Sequence, residues 1–182
     1  MGVKSNKAKD FIQAKKYFEK ACNLNYGGGC SALGELYYNG QGVEKDLIKA
    51  AYFYSKACEL KERLGCSALG ELYYNGQGVE KDLIKAAYFY SKACELKERL
   101  GCSALGELYY NGQGVEKDLI KAAYLYSKAC DLNNGGGCGN LGVLYQKGEV
   151  VEKDLIKAAY LYSKACELKE SFGCGALAVL YS

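Results

Sequence analysis

Histidine is absent from this chain of 182 residues. That removes imidazole general bases, Ser-His triads and His metal ligands at once. Proline, tryptophan and threonine are absent too. Without Thr, and with no Asn-x-Ser anywhere, there is no N-glycosylation acceptor. No stretch approaches the ~20 apolar residues of a membrane helix. The opening, Met1-Gly2-Val3-Lys4-Ser5-Asn6-Lys7, has no apolar run of leader-peptide length. The expectation is a chain that stays where it is made, or a recombinant one whose natural leader was removed. Net charge is only +3, too balanced to imply nucleic acid.

What is present is apolar and repetitive. Apolar residues make up 49% and charged residues 25%, with a mean hydropathy of -0.21, the profile of a soluble folded chain. Tyr occurs 18 times and Cys 10 times. Cys22, Cys58, Cys94, Cys130 and Cys166 are each 36 residues apart, as are Cys30, Cys66, Cys102, Cys138 and Cys174. The block Val43 to Gly78 is identical to Val79 to Gly114. At an offset of 36 the chain matches itself from Gly29 to Tyr88, and the first break is Phe89 against Leu125. A period of this size marks a repeat array.

Each repeat carries two stretches with helical periodicity. In DLIKAAYFYSKACELK, from Asp82 to Lys97, the residues Leu83, Ala86, Ala87, Tyr90, Ala93 and Cys94 form one apolar stripe. Asp82 suits the N-cap, although Lys85 at the third position makes no capping box. Lys97 suits the negative C-terminal end of the helix. In RLGCSALGELYYN, from Arg99 to Asn111, the stripe is Leu100, Ala104, Leu105, Leu108 and Tyr109, and Gly112 follows as the terminating residue. Neither stretch alternates with period 2, so strands are excluded. We call the second stretch helix A and the first helix B. The chain opens with a B-like helix, Asp10 to Leu24, and closes with an A-like one, Phe172 to Tyr181. The expected array has a half unit at 1–26, full units at 27–62, 63–98, 99–134 and 135–170, and a half unit at 171–182. A single hairpin cannot bury its apolar face, so the expected fold is all-α, a right-handed α/α solenoid of stacked hairpins.

The cysteines fall in pairs eight apart: Cys22/Cys30, Cys58/Cys66, Cys94/Cys102, Cys130/Cys138 and Cys166/Cys174. Three readings compete. Metal ligation has little support, with no Cys-x-x-Cys and no His. Reduced cysteines filling small core positions would suit a cytosolic chain. Strict pairing and an even count favour five local disulfides and an oxidising compartment. Each bridge closes a loop of roughly 9 residues, worth ~2.5 kcal/mol in the chain-entropy description.

The run Ala68-Leu69-Gly70-Glu71-Leu72-Tyr73-Tyr74-Asn75-Gly76-Gln77-Gly78-Val79, continuing to Asp82, Ala86-Ala87, Tyr90 and Lys92-Ala93-Cys94, resembles the Sel-one-like repeat, a relative of the tetratricopeptide repeat. The added Cys-x7-Cys resembles the Helicobacter cysteine-rich protein family, secreted bacterial solenoids with one disulfide per repeat. That resemblance implies a bridge across each B-to-A turn and a secreted or periplasmic setting. Natural repeats drift, whereas 60 consecutive positions match here. Together with the missing leader and the abrupt end at Tyr181-Ser182, this suggests an engineered consensus-type array; a recent natural duplication is the alternative.

The resemblance also brings an association with penicillin binding and weak β-lactamase activity. The residues give it little. A serine β-lactamase needs Ser-x-x-Lys and Lys-Thr-Gly. Ser55, Ser91, Ser127 and Ser163 have Lys at the very next position, and Lys-Thr-Gly is impossible without Thr. Tyr37-Tyr38-Asn39, Tyr73-Tyr74-Asn75 and Tyr109-Tyr110-Asn111 match a Tyr-x-Asn element, but three copies at helix ends read as repeat grammar. No catalytic residue, metal or cofactor is expected.

A binding role has more material. If Cys66, Leu69, Gly70 and Tyr73 pack inward, Ser67, Glu71, Tyr74 and Asn75 project from helix A. The set recurs as Ser31, Glu35, Tyr38, Asn39 and as Ser103, Glu107, Tyr110, Asn111. In the tetratricopeptide family that face lines a concave groove. Asn offers a peptide both donor and acceptor, and Tyr offers stiff amphipathic area. A Glu ladder disfavours nucleic acid and favours an extended neutral or basic peptide or protein segment. The alternative is a solvated face that binds nothing. The fourth unit breaks the ladder with Gly139, Val143, Gln146 and Lys147. The last helix carries Leu177, Val179, Leu180 and Tyr181, with Ala178 and Val179 where inner units have Gly106 and Glu107, so weak end-to-end self-association through that helix is expected.

Overall fold

The computed structural model describes residues 2–182, and the backbone there forms helices and turns. It falls into two compact units, one up to Leu96 and one from Lys97. The first holds α1 (Gly2–Asn23), α2 (Gly27–Asn39), α3 (Leu47–Glu59), α4 (Arg63–Asn75) and α5 (Leu83–Glu95). The second holds α6 (Arg99–Asn111), α7 (Leu119–Asp131), α8 (Gly135–Lys147), α9 (Leu155–Glu167) and α10 (Ser171–Leu180). Even-numbered helices are the A helices and odd-numbered ones the B helices. Within each unit every helix packs on the next, and α2 also touches α4, as α8 touches α10. This is solenoid stacking of hairpins with one disulfide per repeat. Among the described residues no helix is long and apolar enough to cross a membrane.

The caps explain the helix limits. Asp82 accepts hydrogen bonds from the Ile84 and Lys85 amides, each 3.0 Å, and Asp46, Asp118 and Asp154 cap the other inner B helices. Each A helix that is followed by a B helix ends in a left-handed glycine, Gly40, Gly76, Gly112 or Gly148. The loop then returns tightly: the Asp46 amide donates to the Tyr37 carbonyl at 2.9 Å. Gly78 in the next such loop is irreplaceable on space alone, since a β-carbon there would lie 2.2 Å from the Leu47 carbonyl oxygen.

Several expectations need correction. The first helix begins at Gly2 rather than Asp10, and no proline interrupts the earlier residues. Lys97 lies beyond the end of α5 at Glu95 with φ 61°, so it closes the turn instead of extending the helix. Leu100 is 59% exposed: burial of Gly101 and Cys102 turns the preceding residue outward. Glu98, which no pattern singled out, caps α6 through the Gly101 amide at 2.7 Å and is buried.

The core is built from small residues and rings. Gly65 faces Ala57 so closely that a β-carbon would come within 2.5 Å, and the adjacent pair Cys58–Cys66 bridges at a Cα separation of 4.5 Å. Cys22–Cys30, Cys130–Cys138 and Cys166–Cys174 repeat the arrangement at 4.6 Å. Cys94 and Cys102 are each disulfide-bonded as well, and no described cysteine is free. Phe53 stacks on Tyr37 and Phe89 on Tyr73, with centroids 5.7 and 5.6 Å apart. In the second unit Leu125 and Leu161 fill the corresponding place, both buried. That is the physical content of the first break in repeat identity.

Candidate functional site

Burial of Cys30, Leu33, Gly34 and Leu36 in α2 fixes which side of the helix faces out. Ser31 and Tyr38 are half-buried there, and Glu35 and Asn39 are exposed. In α4 the same holds for Ser67 and Tyr74, against exposed Glu71 and Asn75. In α6 it holds for Ser103 and Tyr110, against exposed Glu107 and Asn111. These three A helices therefore present the same four side chains beside their buried stripes. Loop lysines cover two of the rings: Lys45 lies 5.8 Å from the Tyr38 centroid and Lys81 lies 6.0 Å from that of Tyr74.

The floor of this face comes from the B helices, a contribution the sequence reading assigned wholly to the core. Tyr54 is 7% exposed, and its phenol feels Glu35, Tyr38 and Glu71. Burial, and then those acidic neighbours, push its pKa far above the usual tyrosine value. Tyr126 behaves alike beside Glu107 and Tyr110. A tyrosine among alanines in a buried stripe was the available signal, because its hydroxyl must reach a polar exit.

The second unit carries a defined cavity of about 240 Å³ lined by Glu107, Tyr110 and Asn111 of α6, Tyr126 of α7, and Asn140 and Val143 of α8. Loss of solvation raises the Glu107 pKa above the ordinary carboxylate range, although one side of the residue remains open to water. The fourth unit then changes character. Tyr162 donates to Gln146 Oε1 at 2.6 Å. Lys147 interacts with the Tyr110 hydroxyl and lies 3.6 Å from Glu149. Among the described residues no group of three or more His, Cys, Asp or Glu converges as a metal site.

A second surface lies on α9 and α10. A cavity of about 500 Å³ is lined mainly by Leu155, Ile156, Tyr160, Leu180 and Tyr181. Val179 and Tyr181 are 70% and 78% exposed, whereas Leu177 and Leu180 are half-buried.

Comparison with known proteins places these features in context. The Sel1 repeat pattern matches residues 2–26, 28–62, 64–98, 100–134 and 137–170. HcpC of Helicobacter pylori, named as a candidate β-lactamase, is 68% identical over 44 residues, which are 24% of this chain and 15% of HcpC. The chain thus spans a small part of that curated relative. The structure of Helicobacter pylori cysteine rich protein B is 42% identical with a TM-score of 0.61, and the match covers 74% of this chain and 96% of that one. A Sel1 repeat protein from Oxalobacter formigenes shares the fold with a TM-score of 0.80 at 24% identity, over 91% of this chain and 73% of that one.

Proposed function

The chain belongs to the Sel1 repeat family, and from that premise we propose that it is a non-catalytic scaffold that holds an extended peptide or protein segment on the outward face of its A helices. The fold is typical of proteins that act through protein–protein contact. The observation that carries the reading is the recurrence of one outward set, an exposed Glu and Asn with a half-buried Tyr, on α2, α4 and α6, with a buried phenol beneath it in each unit. In the first unit Asn39 and Asn75 bond the ligand backbone and Tyr38 and Tyr74 supply contact area; in the second, Asn111 and Tyr110 offer the same groups. Four bridges of identical spacing and the homology to cysteine-rich relatives support work in an oxidising, extracytoplasmic compartment. The exact identity of consecutive repeats supports a consensus-type origin. A penicillin-directed activity has behind it the names of the short-matching relatives HcpC and HcpA; Ser55, Ser91, Ser127 and Ser163 all have Lys at the next position, which a helix turns to a different side.

The test is selection of peptides from a random library against the intact oxidised chain, repeated with Asn39, Asn75 and Asn111 all changed to Ala. Binders that are lost in the triple variant, at an unchanged melting temperature, support the scaffold. Failure to select any binder, or binders indifferent to the triple change, overturns it.

A further inference from the structure

The cavity of the second unit differs from the first unit's groove in a way that names a ligand group. In the first unit, the phenol of Tyr54 is flanked by two carboxylates, Glu35 and Glu71. At the corresponding place in the second unit Glu107 keeps its carboxylate, but Val143 stands where the repeat has Glu71, and Asn140 stands where it has Ala68. One carboxylate, two amides and two phenols therefore line a cavity with an apolar wall. Among the described residues no Lys or Arg nitrogen lies within ion-pair distance of Glu107. The one cationic residue of α8, Lys147, is engaged with Tyr110 and Glu149.

We propose that this cavity is an anchor for a primary ammonium group, carried by a lysine side chain of the extended segment that the A-helix face holds. This rests on the scaffold reading and deepens it. An ammonium has three donors, and the cavity offers carboxylate, amide and phenol oxygens to accept them. A single carboxylate gives a point of charge, not the paired acceptors that a guanidinium fork prefers. The methylene stem of a lysine lies against Val143 and the faces of Tyr110 and Tyr126, as long cationic side chains do on apolar surface. Partial loss of solvation makes Glu107 an unfavourable lone charge, and a bound cation restores what water no longer supplies. An anionic group is disfavoured by the same carboxylate.

The probe is an acetylated, amidated heptapeptide, Ser-Ala-Ser-Lys-Ser-Ala-Ser, against its sister with norleucine in the centre. Binding to the intact oxidised chain is followed by the side-chain amide resonances of Asn111 and Asn140. The lysine peptide is expected to move both resonances and to bind at least ten-fold tighter than the norleucine peptide. Glu107→Gln erases that difference, whereas Glu116→Gln, an equal charge change outside the cavity, preserves it. A difference that survives Glu107→Gln, or a lysine peptide that moves neither amide, overturns the anchor. Library binders that depend on Asn39, Asn75 and Asn111 but ignore Glu107→Gln sink the anchor while leaving the scaffold standing.

Discussion

The ring of Tyr54 occupies the space that a β-carbon on Gly34 would need, only 2.6 Å from both Cδ1 and Cε1. The same relationship joins Tyr90 to Gly70, Tyr126 to Gly106 and Tyr162 to Gly142. A helix A thus receives the next helix B by giving up one side chain. Gly34→Ala is therefore expected to cost about 1–3 kcal/mol, the range for overpacking a tight core. Urea unfolding checks it; a midpoint equal to that of the parent would show that the ring yields freely.

Lys61, Lys97 and Lys169 hold left-handed backbone, with φ of 58°, 61° and 65°, at positions where two repeats use Asn25 and Asn133. A lysine β-carbon is disfavoured there by roughly 1 kcal/mol, and asparagine tolerates the conformation better. Lys61→Asn should raise the melting temperature by a few degrees, and Lys61→Val should lower it. Calorimetry on the two variants decides the sign.

Reduction should lower stability while leaving the helices in place at low temperature. Each bridge closes a short loop and acts mostly on the unfolded chain, at ~2.5 kcal/mol apiece in the entropic description. Circular dichroism with and without reductant tests both halves. A melting temperature indifferent to reductant contradicts the first half, and loss of helix at low temperature contradicts the second.

Alkaline pH should weaken the fold through its buried phenols. The folded pKa values of Tyr54 and Tyr126 are raised, chiefly by burial. Their contribution is complete below the unfolded tyrosine value of about 10, and it is lost as pH rises from there toward the folded values. Denaturation curves collected across that range should show the decline. Tyr54→Phe should flatten it, and a decline identical in parent and variant would assign the effect elsewhere.

The exposed side chains of α10 should promote weak association. Val179 and Tyr181 stand open next to the apolar cavity against α9. Sedimentation at rising concentration is expected to show reversible self-association, reduced in Val179→Glu. A strict monomer at millimolar concentration argues against any such contact.

Much of this was legible in the residues. The spacing of Cys58 and Cys66, the Asp82 cap and the Gly112 terminator are one-dimensional signals, and the backbone obeys them. What was not legible depends on what a side chain meets across the hairpin. Tyr90 counts as one more apolar residue in a stripe until its seat on Gly70 is known. Glu98 looks like a surface charge until its carboxylate is found closing a helix start. The cavity beside Glu107 is lined in part by Asn140 and Val143; the ladder registers Val143 only as a break in pattern and passes over Asn140. Leu100 misled because periodicity gives a face but not where the neighbouring helix crosses it.

Among the described residues the bridges sit at one of the two joints in each repeat, between the end of a B helix and the start of the next A helix. A tensile load therefore meets alternating knots and free cord. Stretched from its ends, the segment from Cys30 to Cys58 can pay out 28 residues, about 95 Å at roughly 3.4 Å per residue, while the knotted turns stay shut. Reductant frees a further 8 residues at each knot, about 27 Å more. In an optical trap the oxidised and reduced chains would differ in step length, which makes the redox state of a single molecule readable with a ruler.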